Sequence, residues 1–100
     1  MSAVRLEEDE IRRRLAELPG WAYESGALCR EYRFADFVRA FGFMTQVALA
    51  SEAMNHHPDW SNVYNRVSVR LSTHDAGGVT GRDFELAARI HALAAAAGAD

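Results

Sequence analysis

The sequence of 100 residues contains no lysine, one cysteine, two prolines and no long run of apolar residues. Because Cys29 is alone, a disulfide within the chain is excluded and a reducing compartment is favoured. The apolar runs are too short to cross a bilayer, and the first residues lack the apolar stretch of a signal peptide. We therefore expect a cytoplasmic protein without a membrane partner.

The sequence also lacks an excess of positive charge. Its eleven basic residues, all arginine, are outnumbered by fourteen acidic residues, and the net charge is −3. Domains that bind nucleic acid usually carry a basic patch or a high isoelectric point. In the one basic cluster, residues 12–14, each arginine follows an acidic residue by four positions, which is typical of paired charges on a helix. This pattern indicates a solvent-exposed helix face, and we expect no nucleic-acid partner.

The composition that is present is typical of a folded protein. Hydrophobic residues make up 49% and charged residues 25% of the chain, which argues against disorder. A chain of this length forms one domain at most, so we assign residues 1–100 to a single domain. The apolar fraction is high for so small a domain and suggests that some surface is buried against other copies of the chain.

Hydrophobic periodicity predicts three helices and four strands. Helices are predicted over residues 7–18, 35–54 and 81–97, and strands over residues 21–24 and 28–34 and, twice, within residues 60–73. In the last strand, Val67, Val69 and Leu71 are expected to face the core. The order αββαββα predicts an α+β fold in which helices pack on one face of a four-stranded antiparallel sheet.

The longest predicted helix has apolar residues on two sides. One stripe is expected to face the core and consists of Phe37, Phe41, Met44 and Ala48. The other is expected to meet a second subunit and consists of Phe43, Val47, Ala50 and Met54. A helix that is apolar nearly all round is buried on more than one side. We therefore predict a homo-oligomer that uses this helix as one interface.

Three of the four histidines are candidates for one site. His56 and His57 precede Pro58, and His74 follows the last predicted strand. Imidazole has an ordinary pKa of about 6.5, which lets it accept or donate a proton near neutral pH. Glu52 lies four residues before His56, so one helix face can carry both. If the sheet folds as predicted, three imidazoles and a carboxylate surround a small cavity, an arrangement that suits proton transfer.

Other interpretations of the histidine cluster exist. Two histidines before a proline can simply end a helix, where a cationic side chain is favourable. Three imidazoles can also bind a catalytic zinc ion, but adjacent histidines rarely converge on one ion and the HExxH motif is absent, so we expect no metal. No nucleophile-elbow motif is present, and Cys29 lies on a distant predicted strand.

Two further polar residues are interpreted as structural. Thr80-Gly-Arg-Asp83 has the spacing of a capping box at the start of the last helix, so Asp83 is predicted to cap that helix. His91 lies in the middle of the same helix, away from the other histidines, and is expected to be partly exposed.

The site residues belong to a longer pattern with defined spacing. The pattern is Glu52-x-x-x-His56-His57-Pro58-x-Trp60-x-x-Val63-Tyr64-x-x-Val67-x-Val69-x-Leu71-x-Thr73-His74-x-x-Gly77-Gly78-Val79-Thr80-x-x-Asp83. Together with Leu18-Pro-Gly-Trp21 and Phe41-Gly-Phe-Met44, it closely resembles the pterin-4a-carbinolamine dehydratase family. The resemblance covers roughly residues 15–97, and no motif position departs from the family's pattern.

The resemblance implies a fold and a reaction. It implies an αββαββα subunit that forms dimers through the sheet and tetramers through helices. It also implies dehydration of 4a-hydroxytetrahydrobiopterin to quinonoid dihydropterin without a metal or cofactor. This reaction recycles the pterin used by aromatic amino acid hydroxylases.

The resemblance also implies roles for the residues of the site. His56 and His74 correspond to acid–base residues, and His57 corresponds to a residue that orients the substrate or serves as the base. Further residues match the part of the family that surrounds the pterin: Pro58, Ser72, Thr73 and Asp75. Glu52 is expected to orient His56, while Trp60 and Asp83 are expected to support the site structurally.

The resemblance leaves a second function open. Animal members of the family also act as dimerisation cofactors for a homeodomain transcription factor, a role that depends on helix surfaces. The alternative to the enzyme is therefore a regulatory binding module that acts on a transcription factor or a hydroxylase. The catalytic motif does not discriminate between these two functions.

Overall fold

The computed structural model describes residues 3–100, and its elements follow the predicted order. The helices are α1 (Glu8–Leu15), α2 (Phe37–Met54) and α3 (Gly81–Ala96), and the strands are β1 (Ala22–Glu24), β2 (Ala27–Arg33), β3 (Asp59–Val63) and β4 (Arg66–Leu71). A single 3-10 turn, His74–Ala76, follows β4. The predicted α+β class and the αββαββα order are confirmed.

The four strands form one antiparallel sheet in the order β1-β2-β4-β3. The last strand in sequence, β4, therefore lies between β2 and β3 and carries the centre of the core. Its residues Val67, Val69 and Leu71 are buried and alternate with residues on the other face, as predicted. The helices cover the face to which these three side chains point.

Helix α2 packs on the sheet with a different stripe from the one predicted to face the core. Its buried residues are Ala40, Phe43, Val47 and Ser51. The ring of Phe43 contacts the rings of Phe34 and Tyr32 at centroid distances of 4.8 and 5.6 Å. Phe43 and Val47, predicted to lie at an interface, are thus core residues, and Ala50 and Met54 from the same predicted stripe are half-buried.

The predicted core stripe lies largely in solvent. Phe37 is 47% exposed and Phe41 is 55% exposed; Ala48 is exposed as well, and only Met44 is partly buried. The assignment was wrong because both stripes are apolar, and periodicity alone does not say which one meets the sheet.

None of the helices between residues 3 and 100 combines the length and the apolar character required to span a bilayer.

The ends of α2 and α3 are fixed by local hydrogen bonds. Asp36 caps α2 by accepting the Arg39 backbone N–H at 2.8 Å. The helix ends at Asn55, which has a left-handed backbone with φ of 51°, a conformation that asparagine tolerates better than most residues. Thr80 and Asp83 form the predicted capping box at the start of α3. These two helix ends, the C-terminus of α2 and the N-terminus of α3, frame the histidine cluster.

Candidate active site

The sheet register brings the two histidine-bearing segments together. Asp59, the first residue of β3, pairs with Arg70 near the end of β4. The residues just before β3 therefore lie beside the residues just after β4. They form a cavity of about 290 Å³ that is lined by Asn55, His56, His57, Ser72, Thr73, His74, Asp75 and Arg82. Three imidazoles thus line one cavity, whereas Glu52, the carboxylate predicted beside them, is not among the lining residues.

His56 is held inside the protein by Asp83. Its side chain is 8% exposed, and its Nε2 lies 2.6 Å from Oδ1 of Asp83, which is completely buried. The other carboxylate oxygen, Oδ2, accepts the Thr73 hydroxyl at 2.8 Å and the Thr80 backbone N–H at 2.9 Å. Asp83 therefore has two roles in the structure, because the residue that caps α3 is also the partner of a histidine in the cavity.

Thr73 belongs to the same buried network. Its hydroxyl donates to Asp83 and, at 2.8 Å, also meets the hydroxyl of Thr80. The Thr80 hydroxyl in turn accepts the Arg82 backbone N–H at 3.2 Å. Thr73 lines the cavity, but its side-chain oxygen is engaged with Asp83 and Thr80.

His57 is paired with Glu52 on the surface. Its Nε2 lies 2.9 Å from Oε1 of Glu52, and the two side chains are 56% and 81% exposed. Glu52 was expected to orient His56, and this expectation was wrong. The left-handed backbone at Asn55 turns the chain out of the helix, so that His56 no longer follows Glu52 along one helix face. Even a charged pair at so exposed a position contributes only about 0–1 kcal/mol, so Glu52 holds His57 only loosely.

His74 is the most open of the three histidines. It begins the 3-10 turn, and its side chain is fully exposed at 103%. Its Nδ1 is 3.5 Å from Oδ1 of Asp75, which is equally exposed. A residue in this setting is free to meet a ligand that enters the cavity.

Two further predicted site residues, Pro58 and Trp60, lie outside the cavity lining. Pro58 is half-buried and directly follows His57. Trp60 is partly buried in β3 and packs against the hydrophobic core. His91, expected to lie away from the cluster, is on α3, where its Nδ1 is 2.7 Å from the hydroxyl of Tyr32.

Arg82 is a residue of the cavity that sequence reasoning missed. Its guanidinium donates to the backbone carbonyl oxygens of Met54 and Asn55, the last two residues before the histidine pair. It thereby ties the first turn of α3 to the C-terminal end of α2, where unpaired carbonyls favour a cation. The sequence feature that could have pointed to Arg82 is its position inside the capping motif, between Thr80 and Asp83.

No three histidine, cysteine or carboxylate side chains within residues 3–100 are grouped so that they could hold a metal ion. In His56 and His57, Nε2 already faces a carboxylate oxygen.

A larger groove of about 540 Å³ lies along the sheet and includes Cys29, Ser68 and Arg70. It contains none of the histidines, so the smaller cavity is the candidate active site.

Comparison with known proteins decides the family. The family described as pterin 4 alpha carbinolamine dehydratase matches residues 4–93. This chain belongs to that family. The predicted resemblance is therefore confirmed, and the chain is a member of a family of dehydratases, which are hydro-lyases.

Relatives of the pterin 4 alpha carbinolamine dehydratase family match most of the chain. A protein of Solibacter usitatus, provisionally named pterin-4-alpha-carbinolamine dehydratase, is 59% identical over 92% of this chain and 97% of its own length. A Burkholderia multivorans protein with the same provisional name is 57% identical over 91% of both chains. The crystal structure of a transcriptional coactivator/pterin dehydratase from Brucella melitensis superposes with a TM-score of 0.88. The two sequences are 46% identical, and the match covers 90% of this chain and 98% of the Brucella melitensis chain.

Proposed function

We propose that this protein dehydrates 4a-hydroxytetrahydrobiopterin to quinonoid dihydropterin and water by histidine acid–base catalysis. The observation that carries the proposal is the cavity of about 290 Å³ lined by His56, His57 and His74, in a chain that belongs to a dehydratase family. The reaction would recycle the pterin used by an aromatic amino acid hydroxylase. The proposed reaction requires no cofactor.

The chemistry needs one group that donates a proton and one that accepts a proton. The leaving 4a-hydroxyl must be protonated so that the C4a–O bond can break and release water. The proton on N5 must be removed so that the electron pair of the N5–H bond is available to form the N5–C4a double bond. Imidazole can perform either step near neutral pH, and each such proton transfer typically contributes 10²–10⁴-fold to the rate.

The three settings of the histidines support a division of roles. We assign His56 and His74 to acid–base catalysis and His57 to orienting the substrate, with His57 as the other candidate for the base. His56 is buried and held in place, whereas His74 is open to an incoming ligand. Residues 72–75 line the same cavity, and we propose that their main-chain groups pair with the amide edge of a pterin. We reassign Glu52 from His56 to His57, which it contacts.

The experiment that tests the proposal is turnover of chemically generated 4a-hydroxytetrahydropterin by the purified protein. A protein that performs the reaction should speed the fall in the absorbance of the 4a-carbinolamine. Replacing both His56 and His74 with alanine should lower the rate by at least about 10²-fold, with the folded state checked by circular dichroism. His91→Ala is the matched control, because His91 contacts Tyr32 and not the cavity. Wild-type turnover in the double variant would refute the assignment.

A homo-oligomer is part of the proposal. On α2, Phe37, Phe41 and Leu49 are large apolar side chains that stay exposed. At the end of the edge strand β3, Val63 and Tyr64 are exposed as well. We propose that copies join through the sheet and through α2, as dimers or tetramers.

The regulatory alternative has one observation in its favour. The relative from Brucella melitensis is described as a transcriptional coactivator as well as a pterin dehydratase. An exposed apolar helix face such as that of α2 can bind a protein partner instead of a second copy. Co-purification with a transcription factor, combined with absence of turnover, would favour this function over the enzyme.

A further inference from the structure

The hydrogen bonds around Asp83 have fixed directions. A carboxylate only accepts hydrogen bonds. Its Oδ2 accepts from the Thr73 hydroxyl and the Thr80 backbone N–H, and its Oδ1 faces Nε2 of His56 at 2.6 Å. The hydrogen in this last contact must therefore reside on Nε2 of His56.

This direction determines which nitrogen of His56 can react. A neutral imidazole carries one N–H, so a hydrogen on Nε2 leaves a lone pair on Nδ1. Within residues 3–100, Nδ1 of His56 has no hydrogen-bond partner. Among these residues, the only fully buried side-chain nitrogen or oxygen without a partner is Oγ of Ser51. Nδ1 is therefore not fully buried, and His56 lines the cavity.

We propose that Asp83 is a positioning residue that fixes His56 in the Nε2–H tautomer and directs all proton transfer by His56 through Nδ1. The inference rests on the proposed function, because it assigns the reacting atom of a histidine in that reaction. When Nδ1 takes up a proton, the imidazolium keeps its Nε2–H on Asp83. When Nδ1 gives a proton up, the same tautomer is restored.

The contrast with His57 shows why burial matters to this role. Both histidines place Nε2 on a carboxylate oxygen, at 2.6 Å for Asp83 and 2.9 Å for Glu52. Asp83 is completely buried and is anchored by two further donors, whereas Glu52 is 81% exposed. Water can replace Glu52 at little cost. Only His56 is therefore held in one tautomer.

The first test is ¹⁵N NMR of protein labelled at histidine, recorded in the neutral-imidazole limit of a pH titration. In the wild-type protein, His56 should show a protonated Nε2 and an unprotonated Nδ1, while His57 and His74 should show mixtures of tautomers. In Asp83→Asn, the side-chain amide should donate to Nε2 and move the ring hydrogen to Nδ1. The remaining amide oxygen can still accept from Thr73 and from the Thr80 backbone.

The second test is the rate of dehydration by the same variant. Asp83→Asn should lower kcat by about 10²–10⁴-fold with little change in KM, because the substrate still binds but Nδ1 no longer offers a lone pair. Asp36→Asn is the matched control, since Asp36 also caps a helix N-terminus, that of α2, but lies outside the cavity lining. It should keep both the wild-type kcat and the His56 tautomer.

The outcomes separate this inference from the proposed function. An Nδ1–H tautomer of His56 in the wild-type protein would overturn the positioning role, even if Asp83→Asn fails to fold. An active Asp83→Asn with unchanged kcat would overturn it as well, while leaving the dehydratase activity intact. If the wild-type protein shows the expected tautomer but no turnover, the proposed function fails and the catalytic part of the inference fails with it.

Discussion

The residues of the cavity differ in how firmly their side chains are held. His56 is buried on a carboxylate with three hydrogen bonds, His57 is on the surface beside Glu52, and His74 is fully exposed. Sequence spacing could predict that these imidazoles share a site, because two consecutive antiparallel strands, predicted within residues 60–73, bring the residues before the first strand beside those after the second. It could not predict their partners, since these depend on one left-handed residue, Asn55, which no periodicity reveals.

Tyr32 makes the stability of the protein sensitive to alkaline pH. Burial raises the pKa of its phenol above the ordinary value of 10.0, although the hydrogen bond from Trp21 and the charge of Arg30 oppose this shift. The neutral phenol of Tyr32 contributes fully to stability below the pKa that it has in the unfolded chain, about 10. This contribution is lost as the pH rises through the higher pKa of the folded protein. The free energy of unfolding should therefore fall above pH of about 10, as measured by denaturant titration.

The same titration with substituted tyrosines tests the source of this loss. Tyr32→Phe should be less stable at neutral pH, because Trp21 and His91 lose their partner, but its stability should depend less on alkaline pH. Tyr64→Phe, at an exposed position, should keep the wild-type decline. An equal decline in both variants would show that another group is responsible.

At the scale of elements, α2 shows the limit of hydrophobic patterns. The stripe with Phe43 and Val47 fills the core, while the stripe with Phe37 and Phe41 faces solvent. Each stripe satisfies the helical period, so the sequence predicts two apolar faces correctly but does not order them. The choice is made by contacts between distant parts of the chain, such as that of Phe43 with Phe34 on the loop after β2. The cap at α3, by contrast, is local and was predictable.

The exposed face of α2 gives a test of assembly. Phe41→Glu should separate the subunits without unfolding them, because Phe41 is exposed in the single chain and facing carboxylates would repel each other. Burial of such apolar side chains contributes roughly 25 cal/mol per Å² to association, so the substitution should weaken the free energy of association by several kcal/mol. Sedimentation would measure this change in subunit association. Ala88→Glu, at an exposed position of α3, should leave the assembly unchanged. A monomeric wild-type protein would contradict the proposal.

At the scale of the whole molecule, the sheet register joins the elements into a site. The pairing of β3 with β4 places the residues before β3 beside those after β4, and Arg82 connects the two helix ends next to them. The αββαββα order was predictable because each element has its own hydrophobic period. The contacts of Arg82 and Asp83 with the other side of the cavity were not, because they join residues more than twenty positions apart.

The proposed reaction uses imidazoles and no metal, and this can be tested on the intact protein. Within residues 3–100, no three histidine, cysteine or carboxylate side chains are grouped so that they could hold an ion. Activity should therefore survive extensive dialysis against a strong chelator. Loss of activity that is restored by added zinc would contradict this prediction, and inductively coupled plasma mass spectrometry would identify the ion.

Because Asp83 contacts both His56 and the Thr80 backbone, it links the position of the imidazole to the opening of a helix end. The first turn of α3 depends on Asp83 accepting the Thr80 backbone N–H, and His56 depends on the same carboxylate. When that turn opens, the imidazole loses its partner at the same moment, since helix ends open more readily than the core. The amide hydrogen of Thr80 should then exchange with solvent at a rate that reports how often His56 is released. Hydrogen exchange at one backbone position would thus report how often the contact between His56 and Asp83 opens.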